Sequence, residues 1–73
     1  MRIDEAAKIL ASMYNNSPER EKALHVHLFG IKYADEVSGM PLGEVAIRAG
    51  ITEAYKTEIR KGMNMARYVQ LKP

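Results

Sequence analysis

His25 and His27 are the only imidazoles in the chain, and they stand two residues apart. On a helix that spacing turns one about 200° from the other, so the pair cannot chelate a metal from one face. No H-E-x-x-H spacing accompanies them, and no third ligand stands nearby. Glu21 precedes His25 by four residues, which predicts a local pair on one helix face. The adjacent carboxylates Asp35 and Glu36 point in different directions on a helix and read as a solvated helix end. Ser12, Ser17 and Ser38 have no histidine at a catalytic spacing. Gly39, Gly43 and Gly50 follow no strand, so they make no phosphate-cradling loop. A chain of 73 residues also has little volume with which to enclose a pocket. The expectation is a protein that is not an enzyme and uses neither cofactor nor metal.

The chemistry that remains is charge and its placement. Eleven Lys and Arg against nine Asp and Glu leave a net charge of only +2. Residues 1–40 hold five basic and six acidic side chains, whereas residues 41–73 hold six basic and three acidic. The basic excess therefore lies in the C-terminal half, which fits phosphate contact there and fits a solvated helix face of mixed charge equally well.

The elements that must carry these residues are helical. Ala6, Ile9, Leu10, Met13 and Tyr14 recur on one helix face, with Asp4 as the N-cap and Glu5 in the first turn. Asn15-Asn16-Ser17 matches a glycosylation sequon but reads as the end of that helix. Ser17 and Pro18 open a second helix, expected from Pro18 to about Val37. It carries two apolar stripes, Leu24, Leu28, Ile31 and Ala34 on one side and Val26, Phe29, Tyr33 and Val37 on the other. Two stripes predict a central helix covered on both sides. Leu24–Phe29 also alternates like a strand, but the length of the periodic segment favours helix. Gly39 reads as a left-handed terminator, and Pro41 stops continuation. Tyr68–Leu71 alternates loosely, as a short terminal strand would.

There is no cysteine, so stability must come from helix packing or self-association. No apolar run reaches the roughly 20 residues of a membrane span. The N-terminus carries an acidic pair where a signal peptide would be positive, so the expectation is a cytoplasmic protein without a membrane partner.

Residues 41–62, PLGEVAIRAGITEAYKTEIRKG, contain two short helical patterns separated by Gly50. The turn needs a residue tolerant of positive φ, which glycine supplies. Ala46 offers the small side chain that closely crossing helices require. Thr52 is suited to cap the following helix, and Gly62 to end it. Two readings fit this pattern: a helix-turn-helix that reads DNA, or a helical hairpin that binds protein.

Over Leu42, Val45, Ala46, Ala49, Gly50, Ile51, Thr52, Ile59 and Gly62, the stretch resembles the helix-turn-helix of the lambda repressor and Cro type. The resemblance covers residues 42–62 only; the chain as a whole reads as one all-α domain over residues 1–73, of four helices, with the helix-turn-helix at about 42–61. The resemblance implies that Tyr55, or the stem of Lys56, takes the position where that family buries an aliphatic side chain. It also implies double-stranded DNA as partner, bound in the major groove through the helix at about 52–61, as in a transcriptional regulator. Thr52, Glu53, Thr57 and Lys61 then lie on the DNA side, with Thr52 and Thr57 nearest the base edges. Lys56 and Arg60 flank that side, and Arg48, Asn64 and Arg67 are outer backbone contacts. Glu53 and Glu58 would repel phosphates unless they accept from a cytosine amino group. Met63, Met65 and Tyr68–Leu71 are the expected homodimer contact, since proteins of this type bind two-fold-related half-sites.

Overall fold

Arg2, not Asp4, opens the first helix. In the computed structural model, which describes residues 1–72, α1 runs Ile3–Asn15 with Arg2 in extended conformation at its N-cap. The Arg2 amide donates to Glu5 Oε1 at 3.2 Å, so Glu5 closes a capping box and Asp4 sits within the first turn. Asp4 was expected as the cap on residue type alone; the helix begins one residue before it, which leaves its carboxylate available to a distant arginine. Ala6, Ala7 and Leu10 are buried, and Ile9, Met13 and Tyr14 pack against the core, so the predicted apolar face is present.

The turn out of α1 is tied down by side chains. Ser17 is buried and its hydroxyl donates back to the Tyr14 carbonyl, rather than capping the next helix. Lys22 reaches across the turn and donates to the carbonyls of Tyr14 at 2.8 Å and Ser17 at 3.0 Å, with its ammonium 4.9 Å from the Tyr14 ring centroid. After Pro18 the chain makes a 3-10 turn at Glu19–Glu21 and enters α2, Lys22–Lys32.

The single helix expected from Pro18 to Val37 is divided. Tyr33, at φ −114° and ψ 22°, separates α2 from the one-turn α3, Ala34–Val37. Its ring packs on Phe29 with centroids 5.5 Å apart. Neither glycine nor proline marks this break, so five α-helices replace the four expected. The inner stripe is confirmed: Val26, Phe29 and Val37 are fully buried. The outer one is a correction, because Leu24 remains 48% exposed and Leu28, Ile31 and Ala34 are only half-buried. Among the described residues, no helix fully covers α2 on that side.

Gly39 (φ +86°) and Pro41 then turn the chain into α4, Leu42–Arg48. At the end of α4, Gly50 (φ +83°) donates to the Ile47 carbonyl and Ile51 to the Ala46 carbonyl, the paired bonds of a left-handed helix cap. Thr52 Oγ1 accepts from the Ala54 amide at 3.1 Å and starts a 3-10 turn, Glu53–Tyr55, that leads directly into α5, Lys56–Met65. Thr52 is the cap its type predicted. Gly62 is not a terminator: it is buried within α5, which continues to Met65.

The reason for Gly62 lies on α2. A Cβ on Gly62 would stand 3.0 Å from Gly30 Cα and still closer to the His27 carbonyl oxygen. One on Gly30 would stand 2.9 Å from Gly62 Cα and from the Met63 nitrogen. The two helices therefore cross backbone against backbone. The core closes around this crossing, with Leu10, Val26, Phe29, Val45 and Ile59 wholly buried. There is no strand among the described residues, so the segment after Met65 forms a turn and then irregular chain, not the terminal strand.

Candidate nucleic-acid interface

α5 buries Ile59 and Gly62 against α2 and the core. Tyr55 joins them from the preceding 3-10 turn, while Lys56 stays exposed, so the tyrosine and not the lysine fills the inward position. Its hydroxyl lies 3.4 Å from that of Tyr14, with the rings edge to face at 5.4 Å. The hydrogen bond to Tyr14 is the main cause holding the Tyr55 hydroxyl above the ordinary tyrosine range.

With that face fixed, helical periodicity places the rest. Thr57 and Asn64 point most nearly away from Ile59, with Lys61 beside them on one side and Arg60 on the other. Lys56 lies beyond Arg60, towards the border with the inward face. All five are exposed, as are Thr52, Glu53 and Arg67. Lys56, Thr57, Arg60, Lys61 and Asn64 thus share the exposed side of α5, with Thr52 and Glu53 just before the helix and Arg67 just after it.

Arg48 is the exception. It donates through Nη1 to Asp4 at 2.7 Å and through Nε to Glu44 at 3.0 Å, so it bridges α1 and α4. The Glu44 and Asp4 carboxylates together raise its already high pKa. Its guanidinium is committed to holding the fold.

The two carboxylates that stand against the DNA reading both have partners. Glu58 accepts from His27 across the α2–α5 interface at 2.5 Å, provided that Nε2 carries the proton, and lies 3.7 Å from Lys61. The His27 hydrogen bond is the main cause holding the Glu58 carboxyl below the ordinary carboxylate range. Glu53 leans over Gly43 of α4, where a Cβ would come within 2.9 Å of Oε2, and lies 3.6 Å from Lys56. Among the described residues, Arg60 and Arg67 stand in no salt bridge, whereas Lys56 and Lys61 each have an acidic neighbour. Arg67 lies beyond α5 with its guanidinium carbon 5.7 Å from the Tyr68 ring centroid.

Elsewhere, His25 lies 3.3 Å from Glu21, the pair its spacing predicted. The His27–Glu58 contact was not foreseen, because it joins residues 31 positions apart. Of the expected dimer contacts, Met63 packs against the core, while Met65, Tyr68 and Val69 are exposed, Tyr68 to 81%. Among the described residues no helix is long and apolar enough to cross a membrane.

A family model described as an HTH-like domain matches residues 2–72. No curated protein and no solved structure matches the chain.

Proposed function

Because the chain belongs to the HTH-like domain family, we propose that it is a DNA-binding protein that lays α5 in the major groove. One observation supports this reading: the outward face of α5 is polar, exposed and basic, with Glu58 held by His27 at the α2–α5 junction and Glu53 paired with Lys56. Thr57, Arg60 and Asn64 face the base edges. Among them Arg60 can grip the two acceptors of a guanine, and Asn64 can pair with adenine. Lys56, Lys61 and Arg67 contact phosphates, Thr52 lies at the leading end, and Glu53 sits at the border with α4. Arg48 supports the site from within the fold. A regulatory role, cytoplasmic residence and the absence of catalysis belong to the same proposal.

Binding of mixed-sequence duplex DNA, followed by fluorescence anisotropy at low and moderate salt, tests it. Wild type is expected to bind with a clear salt dependence. Lys61→Ala should weaken all sequences alike and reduce the salt slope by about 1, whereas Arg60→Ala should flatten the preference among sequences. Absence of salt-dependent binding even at low ionic strength would overturn the DNA reading. The second reading, a protein-interaction module, has its own observation in the uncovered apolar side of α2.

A further inference from the structure

Tyr68 is 81% exposed, more than any other large apolar side chain among the described residues. It does not sit on a loose end. Its amide donates to the Met65 carbonyl at 2.9 Å, and that of Val69 to the same carbonyl at 3.0 Å, so the helical turn of α5 runs on past Met65. Beyond it, Leu71 is half-buried and lines one shallow depression with Ile31 of α2. The chain is thus anchored on both sides of a tyrosine that it leaves in water.

The direction of Tyr68 follows from the periodicity of α5. It stands four residues after Asn64 and seven after Lys61, and so prolongs the outward line of Thr57, Lys61 and Asn64 by one turn. The Arg67 guanidinium carbon lies 5.7 Å from its ring centroid. Arg60, Lys61, Arg67 and Lys72 follow Glu58, and no acidic residue stands between Glu58 and Pro73. Asp35 and Glu36, on α3, are in no salt bridge with any of these four. A fixed aromatic ring on a basic surface suits a polyanion that alternates phosphate with apolar sugar. Tyr68 also lies about 16 Å along the axis from Thr57, at 1.5 Å per residue. A straight helix whose Thr57 faces base edges leaves the curving groove over that distance and meets the strand that borders it. We propose that Tyr68 grips this strand, its hydroxyl donating to a phosphate oxygen and its ring resting on a deoxyribose, with Arg67 pairing to the phosphate beside it. The contact rests on the reading of α5 as the DNA-binding helix and extends its footprint by one turn.

Fluorescence anisotropy of the full chain with mixed-sequence duplex DNA tests it, for wild type, Tyr68→Ala, Tyr68→Phe, Arg67→Ala and Lys61→Ala at several salt concentrations. Tyr68→Ala should bind every sequence about tenfold more weakly, and Tyr68→Phe about threefold, as loss of the hydroxyl donor predicts. The salt slope should stay as in wild type for both, because a neutral side chain displaces no counterion, whereas Arg67→Ala should lower it by about 1. Melting temperatures should match wild type, since the ring is exposed. Binding that Lys61→Ala weakens and Tyr68→Ala does not would overturn this inference and leave the DNA reading standing. No wild-type binding at low ionic strength would end both. Weakening confined to some sequences would make Tyr68 a reader of bases and rule out the backbone contact. Full affinity in Tyr68→Phe would exclude the hydrogen bond to phosphate.

Discussion

α5 is held by two glycine-dependent contacts that differ in kind. On the α4 side, Gly50 is needed for its backbone: φ is +83°, and nothing lies within 4 Å of where a Cβ would point. On the α2 side, Gly30 and Gly62 are needed for space: both have helical backbone, and a Cβ on either would strike the opposite helix. One contact restricts a dihedral angle and the other a distance. The helix-turn-helix turn is therefore a local device, whereas the orientation of α5 on the domain is set by a junction of two distant segments.

Substitutions separate the two. Gly62→Val should be the most damaging, at more than about 3 kcal/mol, since neither backbone can withdraw from a methyl group at this distance. A domain of this size has only a few kcal/mol in hand, so the variant should be largely unfolded in a thermal melt. Ala46→Leu, at a fully buried position in α4, should cost about 1–3 kcal/mol in the same assay. Gly50→Ala should cost about 1–2 kcal/mol, the penalty of a left-handed backbone for a residue with a Cβ. Asparagine sharpens the contrast. Gly50→Asn should be milder than Gly50→Ala because asparagine tolerates that conformation, whereas Gly62→Asn should be as harmful as Gly62→Val. Equal effects of asparagine at the two sites would erase the distinction.

The smallest expected effect concerns the polar end of the α2–α5 junction. Glu58 has its folded-state pKa lowered by the His27 hydrogen bond. A lowered carboxyl pKa stabilises the fold above the unfolded value, and that contribution fades as pH falls through the folded one. Glu58→Gln should thus be less stable than wild type near neutrality, and the gap should narrow as pH falls below the ordinary carboxylate range. Urea denaturation of both proteins at neutral and acid pH measures it; a gap that widens on acidification would contradict the assigned cause.

The same contrast explains what the sequence makes legible. Gly39, Gly50 and Thr52 act on their own backbone neighbourhood, so residue type and position suffice to read them. The outward set of α5 follows from periodicity once Ile59 is taken as inward. Gly62 looks like a terminator when only its own helix is considered, because the reason for it sits on Gly30. His27–Glu58, Tyr14–Tyr55 and Asp4–Arg48 likewise join distant segments, and nothing local marks either partner. The capture of Arg48 by Asp4 is what removes it from the candidate interface. The break at Tyr33 has no glycine or proline to announce it, which is why α2 and α3 read as one helix.

Lys22 has a consequence for how the domain comes apart. Its single ammonium joins the Ser17 hydroxyl on the Tyr14 carbonyl, takes the Ser17 carbonyl as well and covers the Tyr14 ring, so it ties the end of α1 to the start of α2. A helix terminus closed in this way does not fray independently of the residue that closes it. In native-state hydrogen exchange, the amides at the last turn of α1 and the first turn of α2 should therefore open together, as one cooperative unit. Lys22→Met, which keeps the stem and removes the charge, should split that unit and let α1 exchange first.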